Sequence, residues 1–292
     1  MYASASLSER EQGGGADAGG DPLAGIRARG VIAFSAHAQE GVTRRTRVRE
    51  EGALRLRFPV ESKTRLDAVV VNVAGGMAGG DVYDVAIDAG ERAHVAFATA
   101  AAEKVYRALG APTRSDMRLR ADAGARLAVL PQETILFDGA RLRRNVEIDL
   151  HESARLVLCD LVVLGRAAMG EQVRALDWAD RWRLRRAGAL AWADNARLAG
   201  DACAALARKA TGAGARAFGL ALYAARDAQD HLEPVRACLG DAGLERVEWG
   251  VTCLEGVLIA RFIAPDAYDA RRAMERALRI LPDGSPPRSW ST

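Results

Sequence analysis

The sequence predicts a mainly β protein, with strands wound into a solenoid-like or layered arrangement and a few short α-helices near the C-terminus. Short runs in which apolar and polar residues alternate extend over about residues 30–159, which is the pattern of strands with one buried face. One strand-and-turn pattern recurs there at a period of about thirty residues. Helical spacing of apolar residues occurs only in the last part of the chain.

The first residues form no part of the predicted fold. Residues 1–21 are mostly serine, alanine and glycine with scattered charges, and they lack the apolar run of a signal peptide. We predict a disordered leader over residues 1–22 and a single β-rich domain over residues 23–292. No run approaches the roughly 18 apolar residues that a membrane helix needs. We therefore expect a cytoplasmic protein that does not enter a membrane.

Three segments show the alternation most clearly, and we predict a strand for each. Leucine and phenylalanine alternate with arginine over residues 54–58, and valine recurs at every second position over residues 69–73. Over residues 146–150, valine, isoleucine and leucine alternate with glutamate and aspartate. Because successive side chains of a strand point to opposite faces, each segment presents one apolar face to a core.

The recurring pattern consists of a strand, a turn and then the order alanine, basic residue, aliphatic residue. Its three copies end at residues 93–95, 125–127 and 154–156. Corners that recur at a fixed spacing indicate a chain that winds in successive β-layers, each covering the apolar face of the one before. The repeat therefore predicts a β-solenoid or a layered sandwich.

Two hairpins and two helices are predicted after the repeats. The hairpins turn at Ala187-Gly188 and at Glu255-Gly256, each between two strand-like runs. Their strands are predicted at residues 182–184 with 190–192, and 246–252 with 257–263. The helices are predicted at residues 232–239 and 266–281, and the prolines that follow the second helix prevent its continuation.

Charge and composition exclude some classes of function. Lysine and arginine number 41 against 38 aspartate and glutamate residues, a net charge of +3 that is spread along the chain, so nucleic acid is not expected as a partner. The four cysteines have no Cys-x-x-Cys spacing, and the four histidines are equally dispersed. We therefore expect no tightly bound metal or cofactor, and we expect the cysteines to be small buried residues.

Residues 72–81 hold two glycine pairs between an asparagine and an aspartate. Paired glycines allow the backbone to approach another backbone segment or a ligand where a Cβ atom would clash. The alternative is a simple turn between the flanking valines. No Gly-Lys-Ser/Thr follows, so a phosphate-binding loop is not expected.

Residues 103–107 place four polar side chains in one short stretch. Tyr106 and Arg107 are of the residue types favoured at interface hot spots, so both are candidate partner-binding residues. The alternative is that Glu103 and Lys104 form a surface ion pair at the end of a strand, which contributes about 1 kcal/mol or less.

Two further segments carry carboxylates. Residues 131–140 combine a strand-like centre with Glu133 and Asp138, and residues 165–171 add Glu171. An enzyme would use such carboxylates as a general acid and a general base. No nucleophile or histidine lies beside them in the sequence, so exposed turn carboxylates are the alternative and no catalytic residue is predicted.

Taken together and in this order, these segments resemble the urease accessory protein family UreD, which is called UreH in some bacteria. The resemblance spans about residues 30–290, and its segments are 72–81, 102–107, 130–140, 165–171 and the terminal Pro-Pro-Arg-Ser-Trp at 286–290. Members of this family are similar in having strands wound in a two-layered helical arrangement, with a few helices near the C-terminus. The resemblance therefore implies the fold that the repeat predicts.

The resemblance also implies a function, that of an accessory protein and not of an enzyme. It implies that the protein binds apo-urease and UreF, and through UreF the GTPase UreG, and that it helps nickel to reach the urease active site. Ni²⁺ binds imidazole and thiolate tightly, so a route lined by carboxylate and backbone oxygens would hold it less firmly. Nickel is thus expected in transit and not as a tightly bound cofactor.

Our hypothesis is that carboxylates line an internal polar path for nickel: Asp81, Glu133, Asp138 and Glu171. The alternative for each is a turn residue or a partner of arginine. Arg276 in the second predicted helix and Trp290 in the tail are candidate contacts with UreF, because an aromatic side chain on a terminus would otherwise be exposed. Packing of Trp290 onto the protein's own surface is the alternative.

Two other classes of function remain open. A β-solenoid enzyme acting on a polysaccharide would use carboxylates near a groove as acid and base. It would need several aromatic residues along a cleft, whereas aromatic residues make up only 5% of the chain. The second class is a scaffold that joins proteins without metal traffic. Delivery of nickel to urease distinguishes the accessory protein from both.

Overall fold

The computed structural model describes residues 27–59 and 64–290, and two β-sheets packed face to face make up most of this range. In chain order the strands are β1 (Arg29–Gln39), β2 (Val42–Gly52), β3 (Leu54–Arg57), β4 (Leu66–Asn72), β5 (Val82–Ala89), β6 (His94–Thr99), β7 (Glu103–Val105), β8 (Thr113–Ala121), β9 (Arg126–Leu130), β10 (Thr134–Leu136), β11 (Arg141–Leu150), β12 (Arg155–Leu164), β13 (Leu176–Arg186), β14 (Ala189–Gly200), β15 (Ala217–Ala224), β16 (Glu248–Leu254) and β17 (Val257–Ala264). The leader predicted for residues 1–22 lies outside the described residues.

The strands form two sheets whose central members are parallel. Sheet A has the order β14-β13-β11-β8-β5-β1-β2, and sheet B has the order β16-β17-β15-β12-β9-β6-β4-β3, with β10 and β7 beside β12. Strands β5, β8, β11 and β13 of sheet A are parallel, as are β4, β6, β9 and β12 of sheet B. The chain thus winds alternately through the two sheets, and the predicted solenoid-like fold is confirmed.

The repeat of about thirty residues corresponds to one turn of this coil. His94 pairs with Arg126, and Arg126 pairs with Arg155, so the basic residues of the three copies stack in register on sheet B. The alanines that precede them are almost completely buried: Ala93, Ala125 and Ala154. A small side chain at this corner lets each turn of the chain lie directly on the previous one, because a larger one would overpack the core.

The predicted strands and hairpins are confirmed. Residues 54–57 form β3, residues 66–72 form β4, and residues 146–150 lie within β11. The β13–β14 hairpin turns at Ala187 and Gly188, and the β16–β17 hairpin turns at Glu255 and Gly256. All four turn residues have positive φ angles, as the twist of a two-residue hairpin requires.

The helices are α1 (Ala202–Leu206), α2 (Leu232–Gly240) and α3 (Ala267–Ile280). The last two match the predicted helices, and Asp266 caps α3 by accepting a hydrogen bond from the Asp269 amide at 2.9 Å. Short 3₁₀ turns lie at Ala167–Met169, Lys209–Thr211, Ala228–His231 and Arg288–Trp290. In the described ranges, every helix is too short or too polar to cross a membrane.

Apolar side chains form two cores, one on each face of sheet B. The first lies between sheets A and B, and the second lies between sheet B and helices α2 and α3. Strand β12 contributes to both, since Leu158 faces the first core and Cys159 faces the second. Cys159 is buried as expected, but Cys203 is exposed at the start of α1. The expectation that all four cysteines are buried is therefore wrong for Cys203, and Cys238 and Cys253 are only half-buried.

The C-terminal tail after α3 packs along sheet B. Asp283 forms an ion pair with Arg126, and the Nε2 atom of His94 lies 3.2 Å from Asp283 Oδ1. Burial opposes the charge of this carboxylate, but the hydrogen bonds from His94 and Arg126 hold the pKa of Asp283 well below its usual range. The tail is therefore fixed to the corner where the repeats stack.

Trp290 is buried at the end of the tail, with 9% of its surface exposed. Its Nε1 atom donates a hydrogen bond to the Leu130 carbonyl oxygen at 3.1 Å, and the Arg271 guanidinium lies 4.6 Å from the centre of its ring system. Gln132 also donates to the Ser289 carbonyl at 2.8 Å. Of the two alternatives for Trp290, the structure shows packing onto the protein's own surface.

Candidate functional site

The structure brings two of the four predicted carboxylates together. The Asp138 amide donates a hydrogen bond to Glu171 Oε1 at 3.1 Å, so both residues lie where the chain passes from sheet B to sheet A. Arg107 binds the Asp138 carboxylate at 2.7 Å, and Arg166 binds the Glu171 carboxylate at 2.8 Å. The hydrogen bond from Arg166 lowers the pKa of Glu171. Both carboxylates pair with arginine, which was the alternative for these positions.

Asp81 is buried at the end of the glycine-rich segment, with 3% of its surface exposed. Its carboxylate accepts hydrogen bonds from the amides of Ala28 at 2.8 Å and Ala78 at 2.7 Å, and the Tyr83 hydroxyl lies 3.4 Å away. Asp81 therefore fastens the connection between β4 and β5. It also places a negative charge beside Tyr83, whose ring faces the space between the sheets.

Glu133 lies apart from the other carboxylates. Its side chain is 3.4 Å from the guanidinium of Arg271 on α3, so it belongs to the face of sheet B that the helices cover. Its neighbour Thr134 faces the space between the two sheets. The difference follows from the alternation of side chains along a strand.

The glycine-rich segment carries the chain from sheet B to sheet A instead of turning back within one sheet. Tyr106 packs over it and donates a hydrogen bond from its hydroxyl to the Gly75 carbonyl at 2.8 Å. A Cβ atom at Gly76 would lie 2.6 Å from the Tyr106 ring and 2.9 Å from the Lys104 carbonyl oxygen. The close approach of backbone to backbone that the paired glycines indicated is therefore present.

A buried cluster of three charged residues joins the two sheets. Arg144 on β11 and Asp180 on β13 are paired neighbours in sheet A, and Asp160 lies opposite them on β12 of sheet B. Their side chains are only 12%, 4% and 13% exposed, respectively. With two carboxylates and one guanidinium, the cluster carries a net charge of −1 if all three groups are ionised.

The Arg144 guanidinium donates to all four carboxylate oxygens of the cluster. Nη1 and Nη2 reach the two oxygens of Asp160 at 2.8 and 2.5 Å, and Nε reaches Asp180 Oδ1 at 2.9 Å. Nη2 also bonds to Asp180 Oδ2. Burial alone would lower the pKa of Arg144, but the two carboxylates raise it above its ordinary value. Burial raises the pKa of Asp160, while Arg144 opposes this shift.

Two cavities meet at this cluster. The inter-sheet cavity, of about 100 Å³, lies between the sheets, and Arg144, Asp160 and Trp182 form part of its wall. The side cavity, of about 320 Å³, lies where β13 and β14 approach β15 and β17, and Asp160, Asp180 and Trp182 line it. Asp160 and Trp182 are thus shared by both cavities. The charged cluster stands at their junction.

Apolar side chains line most of the inter-sheet cavity, and a few polar side chains lie among them. Beyond the cluster, the residues that supply oxygen atoms are Tyr83, Thr99, Glu103, Ser115 and Thr134. Glu103 accepts a hydrogen bond from Asn72 at 3.0 Å instead of forming the surface ion pair with Lys104 that was the alternative for it. Burial raises the pKa of Glu103, and burial together with the charge of Asp81 raises the pKa of Tyr83.

Hydrogen bonds connect this cavity with Asp81. Asn72 donates to Glu103 and to the Gly76 carbonyl at 3.2 Å, and the Tyr83 hydroxyl donates to the same carbonyl at 3.2 Å. Tyr83 in turn lies beside Asp81. Two polar groups therefore border the inter-sheet cavity: the charged cluster next to the side cavity, and the hydrogen-bonded set at the glycine-rich segment.

Sequence reasoning missed the charged cluster, although the sequence contains a signal for it. Arg144 stands two residues before Val146, on the inward side of a predicted strand, and Asp180 stands two residues before Trp182. Asp160 follows Leu158 with the same spacing. A charge at an inward position of a strand needs a partner, because an unpaired buried charge is unstable. Which of these charges pair with one another is visible only in the folded structure.

The chemistry of the site is that of oxygen ligands. In residues 27–59 and 64–290, no group of three or more histidine, cysteine, aspartate or glutamate side chains is placed to hold a metal ion. Carboxylate and hydroxyl oxygens suit hard cations and bind nickel less firmly than imidazole or thiolate. When all three groups of the cluster are ionised, its net negative charge favours a cation over an anion.

Comparison with known proteins gives one consistent family. The sequence model of the UreD urease accessory protein family matches residues 28–291. The urease accessory protein UreD of Rhodopseudomonas palustris (strain BisB18) is 46% identical over 92% of this chain and 95% of its own length. The urease accessory protein UreD 3 of Bradyrhizobium sp. (strain BTAi1) is 46% identical over 94% and 98%. The UreD protein of Xanthobacter autotrophicus (strain Py2) is 47% identical over 91% of each chain.

Proposed function

Because this chain belongs to the UreD family of urease accessory proteins, we propose that it is a cytoplasmic, non-catalytic adaptor that lets nickel pass through its interior to apo-urease. In this proposal it binds apo-urease and UreF, and it meets the GTPase UreG through UreF. The observation that carries the proposal is the cavity between the two sheets, with polar groups in two places on its border. These are Asp160 and Arg144 next to the side cavity, and Glu103 with Asp81 at the glycine-rich segment.

The lining suits a metal in passage. A conducting site must attract an ion enough to admit it and bind it weakly enough to release it. With all three groups ionised, the cluster at the junction supplies a net negative charge, and the few polar residues beyond it supply hydroxyl and carboxylate oxygens. Since these ligands bind nickel less tightly than imidazole or thiolate, the ion is attracted but not retained.

The proposed path modifies the role of the four carboxylates predicted from the sequence. Asp81 lies at one end of it through Tyr83. Asp138 and Glu171 lie together in two neighbouring connections that lead from sheet B to sheet A, as the connection with Asp81 does. We keep them as candidates for the surface where nickel enters or leaves. Glu133 faces the helices and not the space between the sheets, so we propose Asp160 and Asp180 as the central carboxylates of the path.

A bulky residue in the inter-sheet cavity should stop delivery of nickel without removing a charge. Ser115 lines this cavity, so Ser115→Leu would fill part of its volume of about 100 Å³. Added methylenes in a packed interior cost typically about 1–3 kcal/mol, which the fold should tolerate. We expect nickel per urease active site to fall by about tenfold or more, as an added barrier of about 1.4 kcal/mol gives. Metal analysis of urease purified from cells that express the variant measures this.

Ser35→Leu is the matched control, because Ser35 lies on β1 with its side chain near Asp88 on the outer face of sheet A. It should leave nickel incorporation unchanged. Recovery of UreF with each variant and thermal unfolding show that the chain is folded and assembled. Normal nickel incorporation with Ser115→Leu would contradict the path and would favour a scaffold without metal traffic.

Tyr106 and Arg107 are proposed as contacts with UreF. The Arg107 side chain is 62% exposed, and the Tyr106 ring lies edge-on to Phe137 with the ring centres 5.2 Å apart. Such an aromatic and arginine pair on a fixed loop is typical of an interface hot spot. Arg276 lies on α3 and donates a hydrogen bond to the carbonyl oxygen of Ala242, in the loop after α2. It stays a second candidate for contact with UreF.

The double variant Tyr106→Ala and Arg107→Ala should therefore weaken the UreF complex. A single hot-spot residue contributes about 2 kcal/mol or more, so the dissociation constant should rise by at least about thirtyfold even if only one of the two is a hot spot. Co-purification and binding titration with UreF measure the change. Arg120→Ala on the outer face of sheet A, where the side chain is 66% exposed, is the control. Undiminished UreF binding, with loss of urease binding instead, would assign this surface to urease.

A further inference from the structure

We infer that Arg144 is a resident counter-ion that prevents Asp160 and Asp180 from retaining nickel at the junction of the two cavities. This inference rests on the proposed function, since it assigns one residue of the proposed path a specific task. It goes beyond the path itself, because it explains why two adjacent buried carboxylates would release a divalent cation and not trap it.

The position of Arg144 is the first argument. Among the described residues that line the inter-sheet cavity, it is the one basic side chain. It stands beside Asp160 and Trp182, which also line the side cavity. The centre of its guanidinium lies 5.4 Å from the centre of the Trp182 ring, a cation–π contact that also holds the guanidinium in place. An ion that moves between the two cavities beside Asp160 therefore meets the guanidinium.

The hydrogen bonds are the second argument. Each of the four oxygens of Asp160 and Asp180 accepts a hydrogen bond from Arg144. A metal ion that binds these carboxylates must compete with the guanidinium for the same oxygens. Its net affinity is the difference between two strong interactions, so it is lower than the affinity of the same carboxylates without the guanidinium. The ion is attracted by the surplus negative charge but does not gain a complete set of ligands.

The chemistry of arginine is the third argument. A guanidinium stays protonated in proteins, whereas a buried lysine readily loses its proton. Only arginine keeps a permanent positive charge in this position, and its planar fork matches two carboxylates at once. Without it, two carboxylates would neutralise a divalent ion in a site of low dielectric constant, where their attraction is strongest. Such a site would store the metal.

The test removes the charge and measures nickel on the protein. The full-length chain, co-purified with UreF, is dialysed against Ni²⁺ as the wild type, Arg144→Gln, and the triple variant Arg144→Gln, Asp160→Asn and Asp180→Asn. We expect Arg144→Gln to bind one additional Ni²⁺ per chain at least about tenfold more tightly than the wild type does, a difference of about 1.4 kcal/mol. The triple variant should lose this binding, since it lacks the two carboxylates.

Thermal unfolding and urease maturation supply the second readout. Added Ni²⁺ should raise the melting temperature of Arg144→Gln and should leave that of the wild type unchanged, because a ligand stabilises only the state that binds it. In cells, Arg144→Gln should deliver less nickel to urease while more nickel remains on the accessory complex. Arg120→Gln, on the outer face of sheet A, is the matched control and should change neither quantity.

Arg144→Lys keeps the inference testable if Arg144→Gln does not fold. An ammonium group keeps a charge but cannot bond to all four oxygens. We therefore expect Arg144→Lys to retain more nickel than the wild type and less than Arg144→Gln. A folded Arg144→Gln or Arg144→Lys protein that binds no more nickel than the wild type would overturn the inference. The path itself is judged separately by Ser115→Leu: if that variant blocks delivery while the Arg144 variants retain no nickel, only the counter-ion role fails.

Discussion

Replacement of Trp290 with alanine is expected to lower the free energy of unfolding by about 3–5 kcal/mol. Only 9% of the surface of Trp290 is exposed, and the residue belongs to the core between sheet B and the helices. Its removal leaves a cavity, and the Leu130 carbonyl loses a hydrogen bond. Arg271 also loses the aromatic ring over which its guanidinium lies. Urea unfolding of the wild type and of Trp290→Ala, each purified in the same way, measures the loss of unfolding free energy.

Trp249→Ala is the control for this prediction. Trp249 lies on the edge strand β16 with 36% of its surface exposed, so its removal leaves a smaller cavity and should cost about 1 kcal/mol. Equal losses for the two variants would show that the tail contributes little to stability. A tail that is released without loss of stability would restore Trp290 as a candidate contact with UreF.

Arg144→Met is expected to lower the free energy of unfolding by about 3–5 kcal/mol, because it leaves two buried carboxylates without a partner. The triple variant Arg144→Met, Asp160→Leu and Asp180→Leu should lose far less, within about 1 kcal/mol of the wild type. Replacement of an entire buried ionic cluster by apolar side chains removes the cost of desolvating three charges. The effects of the single substitutions are thus expected to be strongly non-additive.

The comparison separates stability from function at the cluster. If the triple variant is as stable as the wild type but does not support nickel delivery, the charges are present for the metal and not for the fold. Arg120→Met, which removes an exposed arginine from sheet A, should change stability by no more than about 0.5 kcal/mol. A triple variant that is as unstable as Arg144→Met would show that the cluster holds the two sheets together.

The sequence carries enough information for most of the fold. Alternation of side chains predicted strands at β3, β4 and β11, and the recurring alanine corners predicted a coil that the register of His94, Arg126 and Arg155 confirms. The dipeptides at Ala187 and Glu255 predicted two hairpins, and the pattern after Pro265 predicted α3. These signals are local, since each depends on residues within one strand, turn or helix.

The candidate site depends on contacts that are not local. Arg144, Asp160 and Asp180 come from three strands and two sheets, so no single segment contains the cluster. The segments around Asp138 and Glu171 drew attention because their residue types are unusual, and the structure shows these carboxylates paired with arginine. Trp290 gave no local signal either, because its partner Leu130 is 160 residues away in the chain.

Strand β12 has a consequence for how this protein can evolve. It is covered on both faces, so Asp160 points toward one core while its neighbours Cys159 and Leu161 point toward the other. An insertion or deletion of one residue would reverse these directions and would put a carboxylate beneath the helices. Mutational drift on this strand is therefore restricted to exchanges of one side chain for another. Evolution can replace individual side chains of β12 but cannot shift which of its positions face each core.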